Sequence, residues 1–160
     1  MDDTNRENLP LHHLLRPNTD GKPNPPALFM LHGFGSNEED LFSFAPQLPE
    51  DLFVISLRAP YELPPYGYAW YAINFEAPRG KWNDVGQAVK SRELLSKTID
   101  EAIAKYELDP SRISLLGFSQ GSILSYALAL SYPEKIKSVI ALSGYVDGEM
   151  LIPGYREKNL

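Results

Sequence analysis

Residues 113–121, Ile113-Ser114-Leu115-Leu116-Gly117-Phe118-Ser119-Gln120-Gly121, decide how this chain is read. The run from Ile113 to Leu116 is short, mostly apolar and β-branched at its start, whereas Ser122 to Tyr132 is an apolar stretch of helical length without Pro or Gly. A strand therefore feeds a helix through Gly117–Gly121. The G-x-S-x-G pattern is what a chemically active junction of this kind needs. A chain that turns so sharply holds its serine in a strained backbone conformation, and a side chain two positions away on either flank would obstruct the turn. Gly117 and Gly121 remove that obstruction. The turn also sets the amide of Gln120 at a helix N-terminus, where unpaired N–H groups and the helix dipole favour negative charge, as on the oxyanion of a tetrahedral acyl intermediate. Ser119 is thus a candidate nucleophile. The competing reading is a glycine-flanked loop serine that only caps the helix.

Working outward, residues 1–27 read as irregular, with a candidate edge strand over His13 to Arg16 followed by Pro- and Gly-rich turns. Ala27 to His32 is an unbroken apolar run of strand length that ends in His32-Gly33-Phe34-Gly35-Ser36-Asn37. Glu38, Glu39 and Asp40 then open a predicted helix carrying Leu41, Phe42, Phe44 and Ala45 and ended by Pro46 and Pro49. Leu52 to Leu57 is the next strand. From Ala59 to Trp82 the chain shows neither period but is rich in aromatics, among them Tyr66, Tyr68, Trp70 and Tyr71. Loops of that length in a compact domain are usually functional. Asn83 or Asp84 caps a helix to about Tyr106, whose apolar residues Ala88, Leu95, Ile99 and Ala102 recur at three- and four-residue spacings. Past the serine-bearing helix, Val139 to Ser143 reads as a fourth buried strand, and Gly144 to Leu160 as polar and irregular.

Alternating strands and helices specify a mostly parallel sheet with helices on both faces, and in such sheets ligands bind beyond the carboxyl ends of the strands. The His32-Gly33-Phe34 turn, the aromatic loop and Ser119 all emerge at that edge. Glycines 33 and 35 permit close backbone approach, so the Phe34 amide can stand beside that of Gln120 as a second oxyanion donor. Without Ser119, the same H-G-F-G run would read as a tight strand-to-helix turn and nothing more.

Composition narrows the classes. The 160 residues are one domain's worth, 43% hydrophobic, with no cysteine for disulfides, thiolate metal sites or thiol catalysis. No apolar run is long enough to span a bilayer, and the acidic, polar start MDDTNRENLP does not read as a secretory signal, so a cytoplasmic protein without stable membrane insertion is expected. A net charge of −6 with scattered basic residues argues against nucleic acid as a partner.

The ordered set HGFGSNEEDLFSFAPQLP, RAP at 58–60, AWY at 69–71, LLGFSQGS and ALSGY resembles the phospholipase/carboxylesterase family of α/β-hydrolases, relatives of the acyl-protein thioesterases, from about Leu28 to Val146. The resemblance implies a serine hydrolase of carboxylic esters or thioesters that works through an acyl-enzyme with no metal or cofactor. It makes Ser119 the nucleophile and Phe34 and Gln120 the oxyanion-hole donors. It also makes the 58–82 loop, with Tyr66, Tyr68, Trp70 and Tyr71, part of the acyl-binding wall; packing of these aromatics on the sheet is the equally weighted alternative.

One requirement is unmet. A hydroxyl needs a general base, normally a histidine oriented by a carboxylate, and in this fold the chain order is Ser, then Asp or Glu, then His. No histidine follows His32. His32 itself lies in the oxyanion turn and reads as structural, while His12 and His13 in the irregular N-terminal segment read as solvated. Asp147 follows the fourth strand as a carboxylate without a histidine to orient. The expected fold is therefore an α/β-hydrolase lacking its last strands and helices, residues 28–160 forming the N-terminal portion of one domain. Its Val139–Ser143 strand would be an exposed edge through which chains could associate. Two functions stand: an esterase or thioesterase acting on a small-molecule or lipid-like substrate, its acid and base beyond Leu160, and a noncatalytic fragment that binds a ligand or partner.

Overall fold

A computed structural model describes residues 9–78, 80 and 82–155. In chain order the strands are His13–Arg16 (β1), Ala27–Leu31 (β2), Phe53–Leu57 (β3), Tyr61–Glu62 (β4), Tyr68–Ala69 (β5), Ile73–Asn74 (β6), Trp82–Asn83 (β7), Ile113–Phe118 (β8) and Ser138–Leu142 (β9). The α-helices are Glu39–Phe42 (α1), Val85–Tyr106 (α2) and Gln120–Ser131 (α3). The main sheet runs β1-β3-β2-β8-β9, with β1 antiparallel and the rest parallel. In register, Leu31 lies between Leu57 and Gly117, so β2, β3 and β8 deliver His32, Arg58 and Phe118 to one edge.

Side chains alternate across β2 and so define two layers. Phe29 and Leu31 join Ile55, Leu57, Leu115, Leu95 and Leu124 in the larger core under α2 and α3. Leu28 and Met30 join Val54, Leu41 and Ala45 on the other face. That second face is thinly covered. The helix expected from Glu38 through Ala45 is a single turn, followed by a 3-10 turn at Ala45–Gln47. Pro46 explains it: its ring would strike the carbonyl of Phe42 if the helix continued. The freed carbonyls of Ala45, Leu48, Pro49 and Leu52 are collected by the guanidinium of Arg16 at 2.6–3.1 Å. This anchors the segment to β1.

Other expectations need correction too. The 58–82 loop is built of two-residue ladders, β4 with β5 and β6 with β7, which are too short to leave a period in the sequence. β9 is not buried, as its apolar run suggested, but is the exposed edge also expected of it: Ile140 is 49% and Leu142 45% exposed, because no strand pairs with its outer side among the described residues. The segment after β9 is not wholly polar and irregular. Asp147 accepts from the Glu149 amide to start a 3-10 turn at Gly148–Met150, which drops Met150 and Leu151 into the core. The buried Arg92 of α2 fastens this turn by donating to the Met150 carbonyl. Residues 156–160 lie outside the described residues. No helix among the described residues is long and apolar enough to cross a membrane.

Candidate active site

Ser119 sits between β8 and α3 with φ 51° and ψ −116°, a conformation costly for any residue with a Cβ. Its backbone is held from both sides. The Ser119 amide donates to the Leu142 carbonyl of β9 at 2.8 Å, and its own carbonyl accepts from Ser122 at 2.9 Å and Ile123 at 3.2 Å as the first bonds of α3. Its hydroxyl makes no capping bond, and it has no hydrogen-bond partner among the described residues. The two motif glycines are required by contact. A Cβ on Gly117 would stand 2.5 Å from the Gly121 carbonyl oxygen, and one on Gly121 would overlap the Leu31 carbonyl of β2.

That approach of α3 to β2 brings the two turns together. A Cβ on Gly33 would lie 3.5 Å from the Ser119 Cβ and 3.2 Å from the Phe118 ring, so the His32–Ser36 turn adjoins the serine. Gly35 takes φ 81°, and the turn is pinned by Gly35 N–H to the Tyr68 carbonyl at 2.9 Å and Tyr68 N–H to the Ser36 carbonyl at 2.8 Å. Phe34 is partly exposed and meets Phe75 edge to face at 5.9 Å.

The aromatics of the loop divide. Tyr66 is 81% exposed, and Tyr68 lies under the Arg58 guanidinium at 4.6 Å. Trp70 and Tyr71 are fully buried, so for these two the packing reading is the one the structure shows. Arg58 in turn makes a two-bond ion pair with the buried Glu38, at 2.8 and 2.6 Å. Burial alone would raise the Glu38 carboxyl, but the Arg58 hydrogen bonds and charge outweigh it and hold the group below the usual carboxylate range.

Each histidine is committed away from the serine. His32 is buried, donates from Nδ1 to the Gly33 carbonyl at 2.8 Å and accepts the Ala59 amide on Nε2 at 3.0 Å, which fixes a neutral tautomer. His13 is 1% exposed rather than solvated, bonded to the Leu11 carbonyl and the Tyr106 hydroxyl. His12 is also not simply solvated: its Nε2 lies 3.5 Å from Glu38. Asp147 spends a carboxylate oxygen on the Glu149 amide.

Burial is the main cause that lowers the His32 pKa below 6.5. The unfolded chain then binds a proton that the folded one refuses, so this group's contribution is full above pH 6.5 and is lost as pH falls below it. Urea midpoints should therefore rise from pH 5 to pH 7, and His32→Gln should be less stable at pH 7 with a shallower rise. An unchanged slope would mean that His32 does not titrate this way.

Two contributors escaped the sequence reading. The side chain of Gln120, 2% exposed, accepts the Trp70 amide at 2.7 Å and donates to the Tyr71 carbonyl at 2.8 Å. The Trp70 indole N–H donates to the His32 carbonyl at 2.9 Å. Only the residue types were visible beforehand; no spacing announces a bond between positions fifty residues apart.

Sheet order, elbow serine and adjoining glycine turn define an α/β-hydrolase. The chain belongs to the phospholipase/carboxylesterase family, whose model matches residues 18–156. It is 30% identical over 143 residues to acyl-protein thioesterase 1 of Debaryomyces hansenii, covering 78% of this chain and 59% of that protein. It is 28% identical over 148 residues to a poly(3-hydroxyalkanoate) depolymerase of Ectopseudomonas oleovorans, covering 92% of this chain and 44% of that one. The Bacillus cereus carboxylesterase structure superposes with a TM-score of 0.71 at 24% identity, covering 85% of this chain and 61% of its own. The chain thus spans only about half the length of the curated relatives it matches.

Proposed function

We propose that Ser119 is the nucleophile of a carboxylic-ester or thioester hydrolase whose general base and orienting acid lie outside these 160 residues. The observation that carries this reading is the strained Ser119 backbone between β8 and α3, beside a glycine turn in which a Cβ on Gly33 would stand 3.5 Å from that of Ser119. The Ser119 oxygen attacks the acyl carbon while the base takes its proton. The carbonyl π electrons move to oxygen, and the amides of Phe34 and Gln120 stabilise that charge. Collapse expels the alcohol or thiol, which recovers the proton, and water then attacks the acyl-enzyme to release the acid and regenerate Ser119. The names of the relatives, a polyester depolymerase and an acyl-protein thioesterase, support this substrate range. Exposed Phe34, Phe75 and Phe118 offer apolar surface near the serine.

With all described histidines engaged elsewhere, the 160-residue chain should not turn over p-nitrophenyl butyrate faster than its Ser119→Ala variant. A chain extended to supply a carboxylate and a histidine should hydrolyse it and be labelled at Ser119 by a fluorophosphonate. Many turnovers by the short chain would refute the first statement; an unlabelled extended chain would refute the esterase reading and favour a binding module.

A further inference from the structure

We propose that Trp70 is a positioning residue that sets the separation of the two oxyanion donors. This rests on the reading of Ser119 as an acyl-transfer nucleophile. The Phe34 amide is carried by the turn after β2 and the Gln120 amide by the first residue of α3, so their spacing depends on what joins those two elements at the site. Trp70 reaches both. Its indole N–H donates to the carbonyl of His32, immediately before the glycine turn, at 2.9 Å, and its main-chain N–H donates to Oε1 of Gln120 at 2.7 Å. The Gln120 amide group is held at its other end by the Tyr71 carbonyl at 2.8 Å. The Trp70 ring packs at 5.7 Å on His32, whose two nitrogens are both bonded. Trp70 is itself fixed from a third direction, because Ser91 of α2 donates its hydroxyl to the Trp70 carbonyl.

Complete burial gives these bonds their weight. Trp70 has 0% of its surface exposed and Gln120 2%, so no water substitutes when a partner is lost. The arrangement also accounts for the residue types. Phe at position 70 would fill most of the space but leave the His32 carbonyl unsatisfied, and Leu at position 120 would keep the helix while abandoning both strap contacts. An oxyanion hole acts through donors fixed before the charge develops, and a misplacement of about 1 Å can cost about a hundredfold in rate.

Two measurements on the 160-residue chain test the proposal. Backbone amide hydrogen exchange is followed in wild type, Trp70→Phe, Gln120→Leu and Ser91→Ala, with the amides of β2 and β8 reporting that each variant is folded. Labelling of Ser119 by a fluorophosphonate is followed with imidazole supplied in solution as the base, and with Ser119→Ala as the blank. Trp70→Phe and Gln120→Leu should each speed exchange at both 33–36 and 119–121 by about tenfold or more, and slow labelling by about ten- to a hundredfold. Ser91→Ala removes only the third anchor and should leave both turns as protected as in wild type. Exchange that rises in one turn alone, or labelling that persists at the wild-type rate in loosened variants, would overturn the proposal. If wild type is not labelled while both turns loosen in Trp70→Phe, the positioning role is overturned and Trp70 is a structural tie only, whereas the catalytic reading itself fails only if the extended chain is also unlabelled. Should Trp70→Phe not fold, Gln120→Leu carries both readouts.

Discussion

Gly121→Val should yield no folded protein, and Gly121→Ala should lose about 4 kcal/mol or more of stability, among the largest effects a single methyl group can have. The added Cβ would occupy the position of the Leu31 carbonyl group and press on that of His32. Neither obstacle can yield as a side chain would. Leu31 lies in the centre of the sheet, paired with Leu57 on one side and Gly117 on the other, and Gly121 is in the first turn of α3. Relief would require α3 to lift from β2, opening the core at Ile123, Leu124 and Leu128 and removing the Ser119 turn from the glycine turn. Gly35→Ala is the informative contrast. Nothing lies within 4 Å of its would-be Cβ, so its cost comes only from φ 81° and should be about 1–2 kcal/mol. Soluble yield and urea denaturation followed by circular dichroism separate the two. A Gly121→Ala midpoint close to that of Gly35→Ala would show that α3 approaches β2 less closely than described.

The same contact explains what was legible in the sequence. G-x-S-x-G between an apolar run and an apolar helix is a local signal, since the turn is made by the residues that spell it, and the order of β2, β3, β8 and β9 followed from hydrophobic runs of strand length. Failures came where the deciding partner is remote. At α1 the local signal of Pro46 was read but its reach back to Phe42 was not, and the partner of the freed carbonyls, Arg16, lies about thirty residues earlier. The burial of His13 depends on Tyr106. The exposure of β9 was legible only indirectly: its apolar run reads as buried, and the edge position followed from the expected lack of a further strand to pair with it. Trp70 and Tyr71 are as aromatic as Tyr66, and composition alone does not separate a core residue from a rim residue. What distinguishes them is the backbone of residues 70–72, whose polar groups are taken by Gln120, Ser91, Gln87 and Asp84.

Removing Arg58 should be far more damaging than removing Glu38, although both changes break one ion pair. The Glu38 side chain is 5% exposed and that of Arg58 31%. Arg58→Met strands a carboxylate where water cannot reach it, and loss of one partner from a buried pair typically costs about 3–5 kcal/mol, the lower end applying here because the Arg58 head is partly solvated. Glu38→Gln leaves a guanidinium that can hydrate and still lie over Tyr68, at a cost of about 1 kcal/mol. The pH dependence follows from the direction of the shift. Arg58 holds the Glu38 carboxyl below its unfolded value, so the pair's stabilisation is present above the ordinary carboxylate range and is lost as pH falls through the folded pKa. Without Arg58 burial is opposed only by a backbone hydrogen bond and the His12 charge, so the carboxyl moves upward and the variant gains stability relative to wild type as pH falls. Urea denaturation at pH 7 and pH 4, with His12→Gln in every background because that ring lies 3.5 Å from Glu38, should show the Arg58→Met deficit shrinking at the lower pH. A deficit that is the same at both pH values would mean that Glu38 is not the group Arg58 protects. The consequence extends to the site, because Tyr68 under Arg58 is the residue whose main chain pins Gly35 and Ser36. Arg58→Met should therefore also speed amide exchange in the 33–36 turn at pH 7, while Glu38→Gln, which keeps the cation over the ring, should not.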